Sequence, residues 1–212
     1  MTTWTVERVR SDAADVHGRD LPSTMRRLVR VVDVTSSALV LGSAQDADDV
    51  DAIAAAELGV DIVRRRSGGG GVLLDPGGAL WVDVEIGRRD ALWCDDISRS
   101  TQWLGAMWVD ALAAVGLDGA AVHDGSMVSP PLASVVCFAG LAPGEVTIDG
   151  AKVVGISQRR TRSGARFQCA VPTAWDVDRH RRLLAPGLAR TGAELTGVAV
   201  RVAVSYTHLR AH

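Results

Sequence analysis

The spacing of hydrophobic and polar positions predicts short strands broken by turns, with helices between them. Leu28–Val34 (LVRVVDV) and Ala38–Leu41 (ALVL) are β-rich runs split by Thr35, Ser36 and Ser37, which predicts a hairpin. Over residues 46–58 the period lengthens to a helical one. Acidic residues fill the first turn, Val50, Ile53, Ala54 and Leu58 share a face, and Gly59 stops it. Residues 60–64 read as a further strand that runs into Arg64-Arg65-Arg66-Ser67 and then Gly68, Gly69, Gly70 and Gly71. After a turn of Asp75, Pro76, Gly77 and Gly78, residues 79–86 alternate Leu80, Val82, Val84 and Ile86 with Asp83 and Glu85. That is the pattern of a half-buried strand.

The clearest helix covers residues 97–115. Trp103, Leu104, Met107, Trp108, Ala111, Leu112 and Val115 recur at helical spacing and Gly116 ends the pattern, which assigns Trp103 and Trp108 to the core. Residues 125–131 read as an irregular loop. Residues 134–139, 145–148, 153–157 and 166–171 read as strands joined by polar turns, and 176–184 as a capped helix. The opening 24 residues predict a short strand or arm and then one helix. Residues 198–204 keep a strand pattern that the final segment, SYTHLRAH (205–212), breaks. That segment is set aside as a foreign or truncated end, leaving a single domain over residues 1–204.

Length and composition narrow the class without naming a function. A chain of 212 residues with 47% hydrophobic and 23% charged residues suits one globular α/β domain. Lys and Arg (23) nearly balance Asp and Glu (25), so there is no global basic field for nucleic acid or a membrane surface. No run of about 18 apolar residues is present to span a bilayer. Three cysteines, Cys94, Cys137 and Cys169, form neither a CxxC pair nor an even set, which fits a reduced, cytoplasmic protein without a thiolate metal site. Six of the nine aromatic residues are Trp, and four of these (Trp4, Trp81, Trp93 and Trp175) have no role that periodicity assigns.

Candidate chemistry lies in three segments. Four glycines after a strand give a backbone that approaches a ligand closely, and the arginines before them supply planar donors for a carboxylate or phosphate. No Gly-Lys-Ser/Thr follows, so it is not a P-loop, and no helix follows, so it is not a dinucleotide fingerprint. In the second segment, Asp149 to Arg160, Lys152 opens an apolar strand; taken alone it reads as an edge-strand gatekeeper, with a cation aimed into a pocket as the alternative. Gly155 and Ser157 leave room on one face of that strand. Third, Cys137 sits in the apolar run Val135-Val136-Cys137-Phe138, where a small buried hydrophobe is the ordinary reading, as for Cys169. His123, Asp124 and His180 lack ligand-spaced partners and read as surface residues. No metal-ligating constellation stands out.

Taken together and in order, ALVLGSAQ (38–45), VRRRSGGGGVLLDPGGAL (63–80) and GAKVVGISQRR (150–160) resemble the lipoate–protein ligase and octanoyltransferase family. The likeness extends over roughly residues 28–185. The resemblance implies the catalytic fold shared with biotin–protein ligases: a mixed, largely antiparallel sheet flanked by helices. It also implies attachment of a lipoyl or octanoyl group to a lysine of a lipoyl-domain protein, such as a 2-oxoacid dehydrogenase subunit or the glycine cleavage H protein. By position, Arg65, Arg66, Ser67, Gly68, Gly69 and Gly70 would form the acyl and adenylate loop. Lys152 would contact the acyl carbonyl and phosphate, Gly155 and Ser157 would line the slot, and Gln45 would end a neighbouring strand.

Two chemistries are implied. A ligase uses ATP and Mg²⁺ to make an acyl-adenylate from lipoate, and this is the expected reaction. The alternative is an octanoyltransferase that needs no cofactor and takes octanoate from acyl carrier protein. Val135–Lys152 is similar to the branch that passes the acyl group through a cysteine, which would make Cys137 the nucleophile and Lys152 the charge that favours its thiolate. A non-catalytic relative that binds a lipoyl domain or an acyl ligand is the third reading. Departures from the family pattern are Phe167-Gln168-Cys169-Ala170 in place of H-G-T/S, Leu73-Leu74-Asp75 in place of an aromatic-His-Asp, and Gly71 where Ala is common. The family's N-terminal Asn/Glu helix and the ligase's small C-terminal domain are not recognisable.

Overall fold

The structure, a computed structural model, describes residues 3–189. The strand expected over 198–204 and the final segment 205–212 lie outside the described residues. In chain order the strands are β1 (Thr5–Ser11), β2 (Leu28–Val34), β3 (Ala38–Leu41), β4 (Asp61–Arg64), β5 (Val72–Leu74), β6 (Ala79–Gly87), β7 (Ala120–Val122), β8 (Val146–Ile148), β9 (Ala151–Arg160) and β10 (Gly164–Pro172). The helices are α1 (Ala13–Gly18), α2 (Ala52–Glu57), α3 (Gln102–Ala114), α4 (Val177–Leu183) and α5 (Pro186–Ala189). Seven strands form one sheet in the order β1-β2-β6-β10-β9-β8-β7, and a second sheet runs β4-β3-β5. Apart from the parallel β1–β2 and β3–β4 pairs, every ladder is antiparallel, the mixed and largely antiparallel arrangement expected.

The hairpin expected of β2 and β3 is not formed. β2 pairs with β1 and β6, whereas β3 pairs with β4 and β5. Thr35, Ser36 and Ser37 supply no residue suited to the positive φ of a tight hairpin turn, and all four residues of β3 are buried. The link is therefore a corner from one sheet to the other, and it lays the small sheet over one face of the large one. Val32 and Trp81 of the large sheet meet Val40 and Leu74 of the small one in a shared core that α1 closes with Ala13 and Val16.

The helix expected over 46–58 is broken. Ala47–Asp49 make one 3₁₀ turn, Val50 is extended and bridges to Leu184, and α2 starts only after Asp51. The Asp51 carboxylate accepts from the amides of Ile53 and Ala54, an N-cap that outcompetes a place inside a helix. Ile53 consequently faces solvent. The helix expected over 97–115 begins at Gln102; Asp96 ends the preceding loop by accepting from the amides of Ser98 and Arg99. α3 covers the other face of the large sheet, where Leu104 and Leu112 join Val84, Val154 and Phe167, with Trp103 and Trp108 packed beside them.

β6 is not half-buried. α3 packs on one face of the sheet, the small sheet and α1 pack on the other over Trp81, and Asp83 and Glu85 are as buried as Val82 and Val84. They are tolerated because neighbouring strands deliver cations. Arg166 Nε donates to Glu85 at 2.8 Å, Arg30 Nη1 donates to Glu85 at 3.2 Å, and Trp81 Nε1 donates to Asp83 at 2.7 Å. Burial pushes the Asp83 carboxyl above its usual range, with Trp81, Arg166, Gln168 and Arg30 pulling the other way. Removing one member of such a cluster strands its partners. Arg166→Met is expected to lower the unfolding free energy by about 3 kcal/mol, read from urea denaturation; a change below about 1 kcal/mol would show that Arg30 alone suffices.

Candidate acyl-transfer site

The site is built where β9 meets the glycine loop and the segment before β8. Asp149 and Gly150 both have positive φ (50° and 79°), so β8 and β9 are joined by a two-residue turn. The pairing then slips by one residue, from Thr147↔Lys152 to Val146↔Val154. The extra residue is a bulge, and it turns Lys152 to the same side as Gly155 and Ser157. β9 is internal to the sheet, flanked by β10 and β8, so Lys152 is not an edge-strand gatekeeper.

Lys152 is buried (4% exposed) and its ammonium is fully engaged. It lies 2.7 Å from Glu145 Oε2 and donates to the carbonyls of Cys137 at 3.0 Å and Gly140 at 3.1 Å, with Cys137 Sγ at 3.8 Å. Burial opposes the charge, but Cys137 and Glu145 outweigh it and hold the ammonium above the usual lysine range. Glu145 is itself fixed by the amides of Ala142 and Ile156. Gly155 makes the space: a Cβ there would meet Lys152 Cε at 3.2 Å and the Phe138 ring at 3.4 Å.

Residues 134–139 do not form the expected strand. They fold as two 3₁₀ turns, Pro131–Ser134 and Cys137–Ala139, the first opened by a proline whose missing N–H costs nothing there. A single bridge, with the Cys137 amide donating to Gly71 at 2.9 Å and the Gly71 amide to Val135 at 2.7 Å, holds this segment against the glycine loop. Cys137 thereby opens a turn and borders a cleft between the two sheets. Val40, Val72, Leu74, Trp81, Phe138 and Ile156 make its apolar walls.

The arginines before the glycines part ways. Arg65 is buried, and its two terminal nitrogens donate to the carbonyls of Val40, Gly68 and Gly70, shaping the loop from inside while bordering the cavity. Burial lowers its guanidinium below the usual value, with Cys137 and Glu145 pulling the other way. Arg64 holds the carbonyls of Gly42 and Gln45. Arg66 turns out to solvent and meets Asp20 at 2.5 Å, which Arg159 also reaches at 3.3 Å. Ser67 Oγ donates to Ser157 Oγ at 3.0 Å, joining the loop to β9. Gly70 and Gly71 are buried, Gly68 and Gly69 exposed. Gln45 lies outside the cavity lining, its amide taken by the Gly42 N–H and the Val135 carbonyl.

Thus Cys137, Lys152, Gly155, Ser157, Arg65 and Ser67 come together, while Arg66 and Gln45 stand at the periphery. Glu145, Phe138, His17 and Gln168 were not anticipated. Local register did not mark Glu145, because the Asp149-Gly150 turn sets Thr147, not Glu145, opposite Lys152. His180, expected at the surface, is buried against Trp175 at 4.1 Å, and burial lowers its pKa. Cys169 is a buried hydrophobe whose thiol is pushed up to about 12 by burial. Among the described residues no group of three His, Cys, Asp or Glu could hold a metal ion, and no helix is long and apolar enough to cross a membrane.

A family model for the lipoyl protein ligase A/B catalytic domain matches residues 20–205. Octanoyltransferase LipM of Clostridioides difficile (strain 630) is 30% identical over 137 residues, 65% of this chain and 50% of that protein, so the match spans half the length of this curated relative. A bipartite lipoate protein ligase with its E2 lipoyl domain from Thermoplasma acidophilum superposes with a TM-score of 0.70 at 18% identity, over 97% of this chain and 78% of that one. Lipoate-protein ligase A bound with ATP gives 0.69 at 19% identity, over 97% and 80%. At such identities the solved structures speak for the fold, and the family model speaks for the sequence. With the match running from the end of α1 past α5, this chain belongs to the lipoyl protein ligase A/B catalytic-domain family.

Proposed function

We propose that this chain moves a lipoyl or octanoyl group onto a lysine of a lipoyl-domain protein through a thioester on Cys137. The observation that carries the reading is the Cys137 sulfur on the wall of an apolar cavity with the Lys152 ammonium 3.8 Å away. The likeness to an octanoyltransferase supports it. So does the state of Lys152, whose ammonium meets the Glu145 carboxylate and two backbone carbonyls rather than being left for a phosphate, and the proposed route runs without an adenylate.

In the first step Cys137 sulfur attacks the carbonyl carbon of an acyl thioester on a carrier. The carrier C–S bond breaks, and the carrier thiol leaves with the proton that the cysteine gave up. In the second, the neutral amine of the acceptor lysine attacks the Cys137 thioester, the amide forms, and the sulfur recovers a proton from the amine. Lys152 offsets negative charge gathering at the sulfur and the carbonyl oxygen in both steps. Glu145 acts as a positioning residue that fixes the ammonium.

Intact mass after incubation with octanoyl carrier protein tests this. The expected result is an octanoyl adduct on Cys137, removed by hydroxylamine and by addition of a lipoyl-domain acceptor, which gains the group. Acceptor acylation that requires ATP and free acid and survives Cys137→Ala would replace the proposal with the adenylate route. No transfer from either donor would leave a binding protein.

A further inference from the structure

The cavity beside Cys137 has two unlike ends. At one, Cys137, Phe138 and Gly155 of β9 meet. Crossing β10 at Ala170 leads to Trp81 on β6, two strands and so roughly 10 Å away. There the lining stops being apolar. The His17 ring, from α1, stacks on Trp81 with centroids 4.7 Å apart, and Gln168 of β10 lies beside it. Both side chains border the cavity, and His17 is only 8% exposed.

Their hydrogen bonds fix their roles. Gln168 Nε2 donates to His17 Nδ1 and to Asp83 Oδ1, each at 3.3 Å. Asp83 anchors this orientation, since the carboxylate can only accept from it. His17 Nδ1 is then an acceptor, so the neutral ring carries its proton on Nε2. Burial, with Arg65 and Arg166 nearby, lowers the His17 pKa to about 4 and keeps the ring neutral at physiological pH. Among the described residues neither His17 Nε2 nor Gln168 Oε1 has a hydrogen-bond partner. The His17 Nε2–H is thus a donor left at the far end of a cavity whose other polar lining residues, beside Gln168, are Arg65, Cys137 and Ser157, and a bare methyl terminus would leave it unmet.

We infer that the far end of the cavity favours acyl chains that carry an uncharged hydrogen-bond acceptor at their distal end, and that the His17 Nε2–H reads it while Gln168 acts as a positioning residue that fixes the tautomer of the ring. The inference rests on the acyl-cavity reading above and adds the substrate class. The acceptor atom has two chemical sources: a dithiolane sulfur, as in lipoate, or an oxygen, as in an ω-hydroxy acid. An anionic end is disfavoured by Asp83 immediately behind Gln168.

Calorimetric titration of the full chain with octanoate, lipoate and 8-hydroxyoctanoate tests this without requiring turnover. The expected order places 8-hydroxyoctanoate about fivefold above octanoate, with lipoate between or equal to it if sulfur is the intended acceptor, and equal to octanoate if oxygen is. His17→Phe keeps a ring on Trp81 and removes the donor, and should bring all three acids to one affinity. Gln168→Met serves as the second variant should the first fail to fold. Octanoate binding at least as tightly as the others, or a ranking that neither variant moves, overturns the inference, as does failure of all three acids to bind. The ranking with no adduct on Cys137 retains it and removes the transfer mechanism instead.

Discussion

Lys152→Met is expected to lower acyl transfer by at least about 100-fold, the scale on which a preorganised charge at a developing anion is felt, and to destabilise the fold at the same time. Methionine keeps most of the apolar stem beside Phe138 and removes only the ammonium. That leaves Glu145, 3% exposed, without its cation, although the amides of Ala142 and Ile156 still reach it. Breaking one half of a buried pair costs about 3–5 kcal/mol, and the two amides place this case at the lower end. Replacing the other half as well removes the stranded charge. Lys152→Met with Glu145→Gln should therefore recover more than about 1 kcal/mol in urea denaturation while transfer stays lost. Recovery of both would make Lys152 a structural residue only. Transfer within tenfold of the parent in the single variant would take its charge out of the reaction.

Motif chemistry and local turns were legible, because residue types in fixed order carry them. Asp149-Gly150 before an apolar run forces a two-residue turn wherever the chain goes, and Asp176 caps α4 by accepting from the Arg179 amide as its position suggests. What was not legible is which face of an element another element covers. Residues 79–86 alternate as a half-solvated strand does, yet Asp83 and Glu85 are buried because Arg30 and Arg166 arrive from strands 53 and 83 positions away from Asp83. Period alone cannot separate a polar face turned to water from one turned to buried guanidinium groups. The same limit hid His17. A histidine in a short N-terminal helix has no local mark, and only the stacking of the small sheet on the large one brings it to Trp81.

Tryptophan illustrates the same division. Periodicity reached Trp103 and Trp108 on α3, but the other four lie where tertiary packing decides. Trp4 and Trp93 lie under the guanidinium groups of Arg27 and Arg160 at 5.4 and 4.1 Å, Trp175 packs on His180, and Trp81 walls the cavity. Cys137 lies between the two cases. Its neighbours identify it as chemistry, whereas the strand expected around it is a pair of turns, since Pro130 and Pro131 start a turn and a single bridge is all that the glycine loop offers.

The glycine loop supplies the last expected result, a contrast within one motif. Gly68 has open space where a Cβ would stand and no positive φ. Gly70 does not: a Cβ there would come within 2.7 Å of the Ala133 carbonyl oxygen and the Val136 amide and within 2.8 Å of the Cys137 amide. These are backbone atoms, which cannot swing aside as a side chain can. Gly70→Ala must therefore push the Cys137 segment away from the loop and, with it, the sulfur from Lys152. A misplacement of about 1 Å at a reacting centre lowers rate on the order of 100-fold, so transfer should fall by at least that much and Cys137 acylation with it. Gly68→Ala should leave both rate and stability close to those of the parent, changing the latter by less than about 1 kcal/mol. Gly42→Ala is the independent check, since its Cβ would overlap the Gly69 carbonyl from the opposite side of the loop. Equal losses at positions 68 and 70 would mean that the motif acts through exposed backbone amides meeting the ligand. Loss at 70 and 42 alone means that the glycines act by letting two backbones touch and so set the place of the cysteine.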